Sequence, residues 1–337
     1  MRAFVLTGPA RAEVREVDDP VAGAGLVVVD VTRAGICGTD VEMFSGDMHY
    51  LHTGQARYPL RIGHEWTGVV SSVGPDVDPA WLGRHVVGDT MLGCRACERC
   101  RAGRQHLCAD RYEIGIRNGW PGALAERLPV PVTALEALPD GLDAALGALV
   151  EPGGNALRAV RGAALASGAR LLVLGPGTIG LLTAMIAKAQ GAEVHLLGLA
   201  PASLDFARSL GFASVWTAAT LPDLRWDAVI DASNGVEMPA LAVEVVEPGG
   251  RVVYIGLSGT PSHVDTRAIA LKDVTVVGVL SASGGLAGAI DLYASGTVDP
   301  RPIVAATVGL DGVADALAGR RPPGWDGAPK VHVDPRR

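Results

Sequence analysis

Residues 170–180 read Arg170-Leu171-Leu172-Val173-Leu174-Gly175-Pro176-Gly177-Thr178-Ile179-Gly180, an apolar run that passes directly into G-x-G-x-x-G, with a helical stretch following through Gln190. Alone, the glycine pattern is weak evidence, but between a buried strand and a helix it stands in the context that gives it meaning. Glycines let the backbone turn sharply and approach a pyrophosphate, whose charge then rests at the helix N-terminus. A plain Gly-rich turn is the competing reading. Further apolar strands are expected at 193–199, 228–231, 250–255 and 274–278, alternating with helices. Residues 142–162 read as Ala-rich helix interrupted at Pro152-Gly153-Gly154. This alternation implies a parallel, doubly wound α/β sheet covered on both faces.

Upstream of about residue 140 the pattern changes to short Val/Leu/Ile runs separated by Gly and Pro, such as Leu26-Val27-Val28-Val29-Asp30-Val31. That spacing predicts an all-β, barrel-like domain. The 337 residues suit two domains, and 48% hydrophobic residues supply their cores. The final 45 or so residues read as a helix and strand returning to the first domain, with a Gly/Pro loop at 320–329. A net charge of -7 with scattered basic residues argues against a nucleic-acid surface. The apolar start Met1-Arg2-Ala3-Phe4-Val5-Leu6 stops at Gly8-Pro9, and the run 171–200 is broken by Gly-Pro-Gly, Lys188, Glu193 and His195. Neither an export signal nor a membrane span is expected, so the protein is read as cytoplasmic.

Four of the five cysteines lie within fifteen residues, at Cys94, Cys97, Cys100 and Cys108, a C-x2-C-x2-C-x7-C cluster. Four thiolates satisfy tetrahedral zinc at about 2.3 Å per bond and leave no open position, so the site is structural. Disulfides or a C-x-x-C redox pair are the alternatives; three cysteines at three-residue intervals suit a metal better. The arginines between Arg95 and Arg104 read as the solvated face of this lobe.

At the end of the second strand an NAD enzyme usually carries Asp or Glu for the ribose hydroxyls. Here the strand reads Glu193-Val194-His195-Leu196-Leu197-Gly198, with Gly198 in the acidic position and Glu193 at the far end. NADP(H) is therefore modestly favoured over NAD(H). Ser203 offers a hydrogen bond; Arg208 is either a phosphate partner or a solvated helix residue.

The fifth cysteine stands in Ile36-Cys37-Gly38-Thr39-Asp40, followed by Gly63-His64-Glu65-x-x-Gly68, the cysteine lobe, Val150-Glu151-Pro152 and the glycine motif. In this order, over nearly the whole length, the chain resembles the zinc-dependent medium-chain dehydrogenase/reductase family. The resemblance implies a GroES-like β-barrel catalytic domain, from 1–140 and 292–337 with the zinc lobe at about 93–109, and a Rossmann domain at 141–291. It implies a second, catalytic zinc on Cys37 and His64, with Glu65 as ligand or adjacent carboxylate and Glu151 as the exchanging ligand. Glu151 departs from the Cys2His type of alcohol dehydrogenase and moves the match toward polyol, sugar and threonine dehydrogenases. Thr39 matches the hydroxyl that relays the substrate proton, and Asp40 the group that orients His64. The implied cofactor contacts are Gly175, Gly177, Thr178, Ile179, Gly180, Gly198, Ser203, Gly256 and Leu280.

The expected activity is hydride transfer between NAD(P) and a secondary alcohol or ketone. The segment from Asp47 to Tyr58 is rich in hydrogen-bonding side chains, which suits a polyol, sugar, cyclitol or amino-alcohol; a merely polar surface loop is the bland reading. Glu42 stands where simpler relatives often carry His. Trp66 and Trp120 are either pocket walls or core. Reduction of simpler aldehydes and ketones, or a non-enzymatic zinc- and nucleotide-binding role, are the alternatives. A homodimer or homotetramer is expected, with strand 274–278 a place for sheet extension.

Overall fold

The structure, a computed structural model, describes residues 1–320 and 325–337. The Val-rich, largely buried run Leu26–Gly35 is the spine of a seven-stranded sheet, flanked antiparallel by Glu65–Val73 and Arg127–Pro131. His85–Gly88 and Leu135–Ala137 extend one side. On the other side Lys330–Val333 pairs antiparallel with Leu26–Gly35 and parallel with Val304–Val308. The C-terminal chain thus returns to the first sheet and places Lys330 beside Ile36 and Cys37. A hairpin, Arg2–Gly8 with Arg11–Glu16, packs alongside. Trp66 lies in the core of this β-rich half, whereas Trp120 is half-buried against it and donates Nε1–H to the Pro129 carbonyl at 3.0 Å.

The second half holds six parallel strands, in the order Val215–Trp216, Glu193–Leu197, Arg170–Leu174, Trp226–Asp231, Val246–Tyr254 and Thr275–Gly278. Sequence order reverses between the third and fourth of these, which opens a crevice beyond their C-terminal ends. The strands read as continuous apolar runs because both faces are buried. Leu171 and Val173 join one core with helices Val150–Ala163 and Thr178–Ala189, while Leu172 and Leu174 join another on the opposite face.

One expectation is corrected. The helix Val150–Ala163 runs through Pro152-Gly153-Gly154 without a break, and the interruption lies upstream, after a short helix at Ala144–Gly147. Pro152 sits in the first turn, where its missing N–H has no intrahelical partner to lose. A Cβ on Gly153 would lie 2.1 Å from the Tyr293 hydroxyl, and one on Gly154 would lie 3.0 Å from Ala282 Cβ. The two glycines serve close packing against the helix Leu286–Ala294 and its approach, not a turn. Of the loop expected at 320–329, residues 321–324 lie outside the described residues. No described helix is long and apolar enough to cross a membrane.

His332, on the returning strand, is fully buried, and neither ring nitrogen has a hydrogen-bond partner among the described residues. Burial first, then the charges of Lys330 and Arg33, push its pKa down to about 3. An unfolded histidine titrates near 6.5, so below that pH the unfolded chain takes up a proton the folded chain refuses. Stability is untouched above about pH 6.5 and is lost as pH falls toward 3, at about 1.4 kcal/mol per pH unit. Urea unfolding of His332→Leu beside the natural protein should show their difference moving by about 1.2 kcal/mol in the variant's favour between pH 6 and pH 5. A pH-independent difference would show that the imidazole protonates in the native state.

Candidate active site

Cys37 ends the central strand's exit loop and caps the helix Gly38–Ser45, while His64 and Glu65 open the neighbouring strand. Ligand atoms of Cys37, His64 and Glu65 lie within 4.8 Å of one another. Asp40 joins the two segments: its Oδ2 accepts from Cys37 N–H at 2.9 Å and its Oδ1 from Gly63 N–H at 3.1 Å. The same Oδ1 lies 3.7 Å from His64 Nδ1, too far for a hydrogen bond. Asp40 therefore fixes the backbone that presents the ligands, more than the imidazole itself. Thr90 Oγ1–H donates to the His64 carbonyl at 3.2 Å. Thr39, second in the helix, is half-buried beside Cys37.

Glu151 approaches from the start of Val150–Ala163. Its Oε1 accepts from Asn155 Nδ2 at 2.9 Å, and it stands outside the three-residue cluster. Burial pushes its carboxyl up to about 7, with His64 opposing and Glu65 reinforcing that shift. His64 itself is pushed down by burial, but Asp40 and Cys37 outweigh this and hold it well above the ordinary imidazole range. The local field is negative, and His64 Nδ1 is a buried atom without a hydrogen-bond partner among the described residues. Both features suit a divalent cation on Cys37, His64 and a carboxylate.

Sequence reasoning missed Lys330. Its Nζ donates to Glu65 Oε2 at 2.6 Å and to the Ile36 carbonyl at 2.9 Å, with both side chains of the ion pair 1% exposed. Glu65 is thereby held from behind, in space that Gly35 leaves: a Cβ there would lie 2.1 Å from Glu65 Oε2. A signal existed. Among 29 basic residues the chain has only the lysines Lys188, Lys272 and Lys330, and the last opens a strand that is buried throughout.

The four sulfurs of Cys94, Cys97, Cys100 and Cys108 lie within 4.8 Å of one another, and none is in a disulfide. Cys94 and Cys100 Sγ are 4.0 Å apart, near the edge of about 3.8 Å that a tetrahedron with 2.3 Å bonds requires, and far from the ~2.05 Å of a disulfide. N–H groups of Cys97 and Ala96 pull the Cys94 thiol down to about 7, which favours thiolate. Arg95, Arg99, Arg101 and Arg104 are exposed, as expected of this lobe. Beside it, buried Asp89 accepts from Gln105 Nε2 at 2.8 Å and from Ser283 Oγ at 2.9 Å, linking the lobe to the loop after Leu280.

On the sheet's crevice, Gly175 has φ +90°, and a Cβ on Gly180 would lie 1.9 Å from the Gly175 carbonyl oxygen. Gly177 caps the helix Thr178–Ala189 with nothing within 4 Å of its Cβ position, the open cradle a pyrophosphate needs. Gly256 packs against Ser233, Leu280 is 40% exposed, and Ser203 lies half-buried in the first turn of the helix Pro201–Ser209. Arg208 pairs with Asp205 at 2.7 Å and donates to the Val215 carbonyl. Glu193 pairs with Arg170 at the strand's opposite end. A carboxylate at Gly198 would meet an obstacle: its Cβ position lies 2.7 Å from the ring of Pro176.

The two halves meet at a cleft of about 270 Å³, where Cys37, Gly38, Glu65 and Lys330 face Thr178 and Ile179. Several groups expected to face a substrate are instead occupied within the protein. Tyr50 hydroxyl contacts Glu113 Oε1 at 3.2 Å, Tyr58 hydroxyl donates to the Met43 carbonyl at 2.6 Å, and Thr53 donates to His49 O and Gln55 Oε1. Glu42 is half-buried, and burial, then Asp47, raise its carboxyl pKa.

Residues 23–140 match the alcohol dehydrogenase GroES-like domain, and residues 178–295 the zinc-binding dehydrogenase domain. The chain is 34% identical to an L-threonine 3-dehydrogenase of Saccharopolyspora erythraea over 83% of each chain. It is 32% identical to a 2-dehydro-3-deoxy-L-galactonate 5-dehydrogenase of Pseudoalteromonas atlantica over 88% of each. An alcohol dehydrogenase of Thermus sp. ATN1 superposes with a TM-score of 0.89 at 28% identity, covering 99% of both chains. A buried cysteine–histidine–carboxylate cluster across a cleft from a dinucleotide cradle, beside a four-cysteine lobe, thus has its counterpart in sequence: the chain belongs to the zinc-binding medium-chain dehydrogenase/reductase family. It is a zinc- and NAD(P)-dependent dehydrogenase of the alcohol type.

Removing one partner of a buried ion pair leaves the other uncompensated, at a cost of about 3–5 kcal/mol. Lys330→Met should therefore lower the unfolding free energy by about that amount, read by urea denaturation of both proteins stripped of metal, where no bound cation can replace the ammonium. A loss below about 1 kcal/mol, as for an exposed pair, would show that water reaches Glu65.

Proposed function

We propose that this enzyme interconverts a polar secondary alcohol and its ketone, the alcohol being a polyol, sugar, cyclitol or amino-alcohol, with NADP(H) or NAD(H) as hydride carrier. One observation carries the reading: a single cleft is lined by Cys37 and Glu65 on one wall and by Thr178 and Ile179, next to the glycine cradle, on the other. Relatives acting on L-threonine and on a deoxy-galactonate derivative support a substrate with several polar groups.

In this reading Cys37, His64 and Glu65 hold a catalytic zinc, with Glu151 able to exchange into its coordination, and the four-cysteine lobe holds a structural one. When bound, zinc lowers the pKa of a coordinated hydroxyl or polarises a carbonyl, and the nicotinamide carries the hydride. The protein's own residues do the rest. Thr39 Oγ1 relays the substrate's hydroxyl proton in oxidation, taking it up while passing its own on to solvent, and the same exchange runs backwards in reduction. Asp40 keeps Cys37 and His64 in register, and Lys330 neutralises Glu65. Thr178 and Ile179 form the cleft wall that faces Cys37 and Glu65. A second reading, reduction of simpler aldehydes and ketones, is favoured by one finding: Tyr50, Thr53 and Tyr58 already have partners within the protein. The strand Thr275–Gly278, which ends the six-stranded sheet among the described residues, is the place proposed for a homodimer contact.

Metal analysis should give two zinc ions per chain. Cys37→Ala should lose one with nearly all turnover, whereas Cys100→Ser should lose the other and mainly stability. One zinc or none in the metal-replete natural protein would overturn the assignment. Thr39→Val should cut kcat by about 10²–10⁴ at unchanged zinc content; near-normal turnover would assign the proton to another group. A panel of polyols, sugars, amino-alcohols and simple ketones, run with both cofactors, separates the two substrate readings.

A further inference from the structure

Gly198 has an unusual reason to be glycine. It is absent from the positive-φ residues, so its own backbone would accept any L-residue. What forbids a side chain is the neighbourhood: a Cβ would lie 2.7 Å from both Cδ and Cγ of Pro176 and 2.9 Å from Cδ2 of Leu204. The Leu204 methyl ends a flexible side chain and can move aside. The Pro176 ring cannot, because it is closed onto the backbone and its φ is fixed. Backbone hydrogen bonds hold both partners in place, Gly175 N–H to the Leu197 carbonyl at 2.8 Å and Gly198 N–H to the Trp216 carbonyl at 3.0 Å.

We propose that Pro176 is a specificity-determining residue: by excluding any side chain at Gly198 it denies the site the carboxylate that would hold a ribose 2′-hydroxyl, and so leaves room for the 2′-phosphate of NADP(H). The inference rests on reading this crevice as the dinucleotide site. Two residues from different strand ends thus act as one unit. A carboxylate at 198 gives preference for NAD(H) only when the proline is removed as well. The expected energetic signature is strong non-additivity, as for groups in direct contact.

The test is cofactor binding to the metal-replete protein without substrate, by titrating NADH and NADPH and following nicotinamide fluorescence or calorimetric heat. The natural protein should bind NADPH at least as tightly as NADH. Pro176→Ala alone should change the ratio less than threefold. Gly198→Asp alone should weaken both cofactors tenfold or more with little change in ratio, since the displaced proline carries the phosphate-binding turn with it. Pro176→Ala/Gly198→Asp should recover NADH binding and shift the ratio toward NADH by at least tenfold. Gly198→Asp binding NADH as well as the double variant would overturn the role of Pro176; a double variant with the natural ratio would overturn position 198 as the discriminating site. If Gly198→Asp does not fold, Gly198→Ala carries the same steric test: its melting temperature should fall and be restored by Pro176→Ala, and failure to restore it would overturn the proposal. Failure of the natural protein to bind either cofactor would instead overturn the reading of the crevice.

Discussion

A buried ammonium against a buried carboxylate, Lys330 on Glu65, is the constraint around which the catalytic side of this protein is arranged. Neither charge tolerates the interior alone, and their attraction offsets desolvation only when the geometry is good and the remaining donors are used. Here Lys330 also reaches the Ile36 carbonyl, one residue before Cys37. A single side chain therefore connects three stretches of sequence: the Cys37 loop, the His64-Glu65 strand and the returning C-terminal strand. Removing that strand would take away more than sheet edge; it would leave a carboxylate in the metal pocket without its counter-charge.

The same economy marks the other two lysines. Lys188 Nζ donates to the Gly211 carbonyl, and Lys272 Nζ to the carbonyls of Val243, Glu244 and Val246. A compact ammonium on a slim stem can enter a cluster of carbonyl oxygens that a planar guanidinium would fit poorly. Asp89 shows the acidic counterpart, one buried carboxylate shared by Gln105 of the cysteine lobe and Ser283 of the dinucleotide-binding half.

Much of this was legible in the sequence because it was local. Leu171-Leu172-Val173-Leu174 followed by Gly175-Pro176-Gly177 announces strand, cradle and helix within a dozen residues, and C-x2-C-x2-C-x7-C announces a metal by spacing alone. The candidate metal ligands Cys37 and His64 became readable only together, through their order along the chain. What stayed hidden depends on long-range packing. Gly153 and Gly154 look like a helix break until Tyr293 and Ala282 are seen against them. The polar side chains of Tyr50 and Tyr58 look available for substrate until Glu113 and the Met43 carbonyl are found beside them. Gly198 reads as the mere absence of an acid, and only the position of the Pro176 ring shows why a side chain is excluded.

The partners of the Lys330–Glu65 bond are 265 residues apart in the chain. At ribosomal rates of about 5–20 residues per second, that separation corresponds to tens of seconds of synthesis. Throughout that interval Cys37, His64 and Glu65 already exist, while the cation that neutralises Glu65 has yet to be made. Cys37, His64 and Glu65 are thus made well before Lys330, and the pocket they share with it closes only after the returning strand has been synthesised. Until Lys330 arrives, burying the Glu65 carboxylate would strand a charge in the interior without its partner, so the final docking of the returning strand and the drying of the pocket are one event.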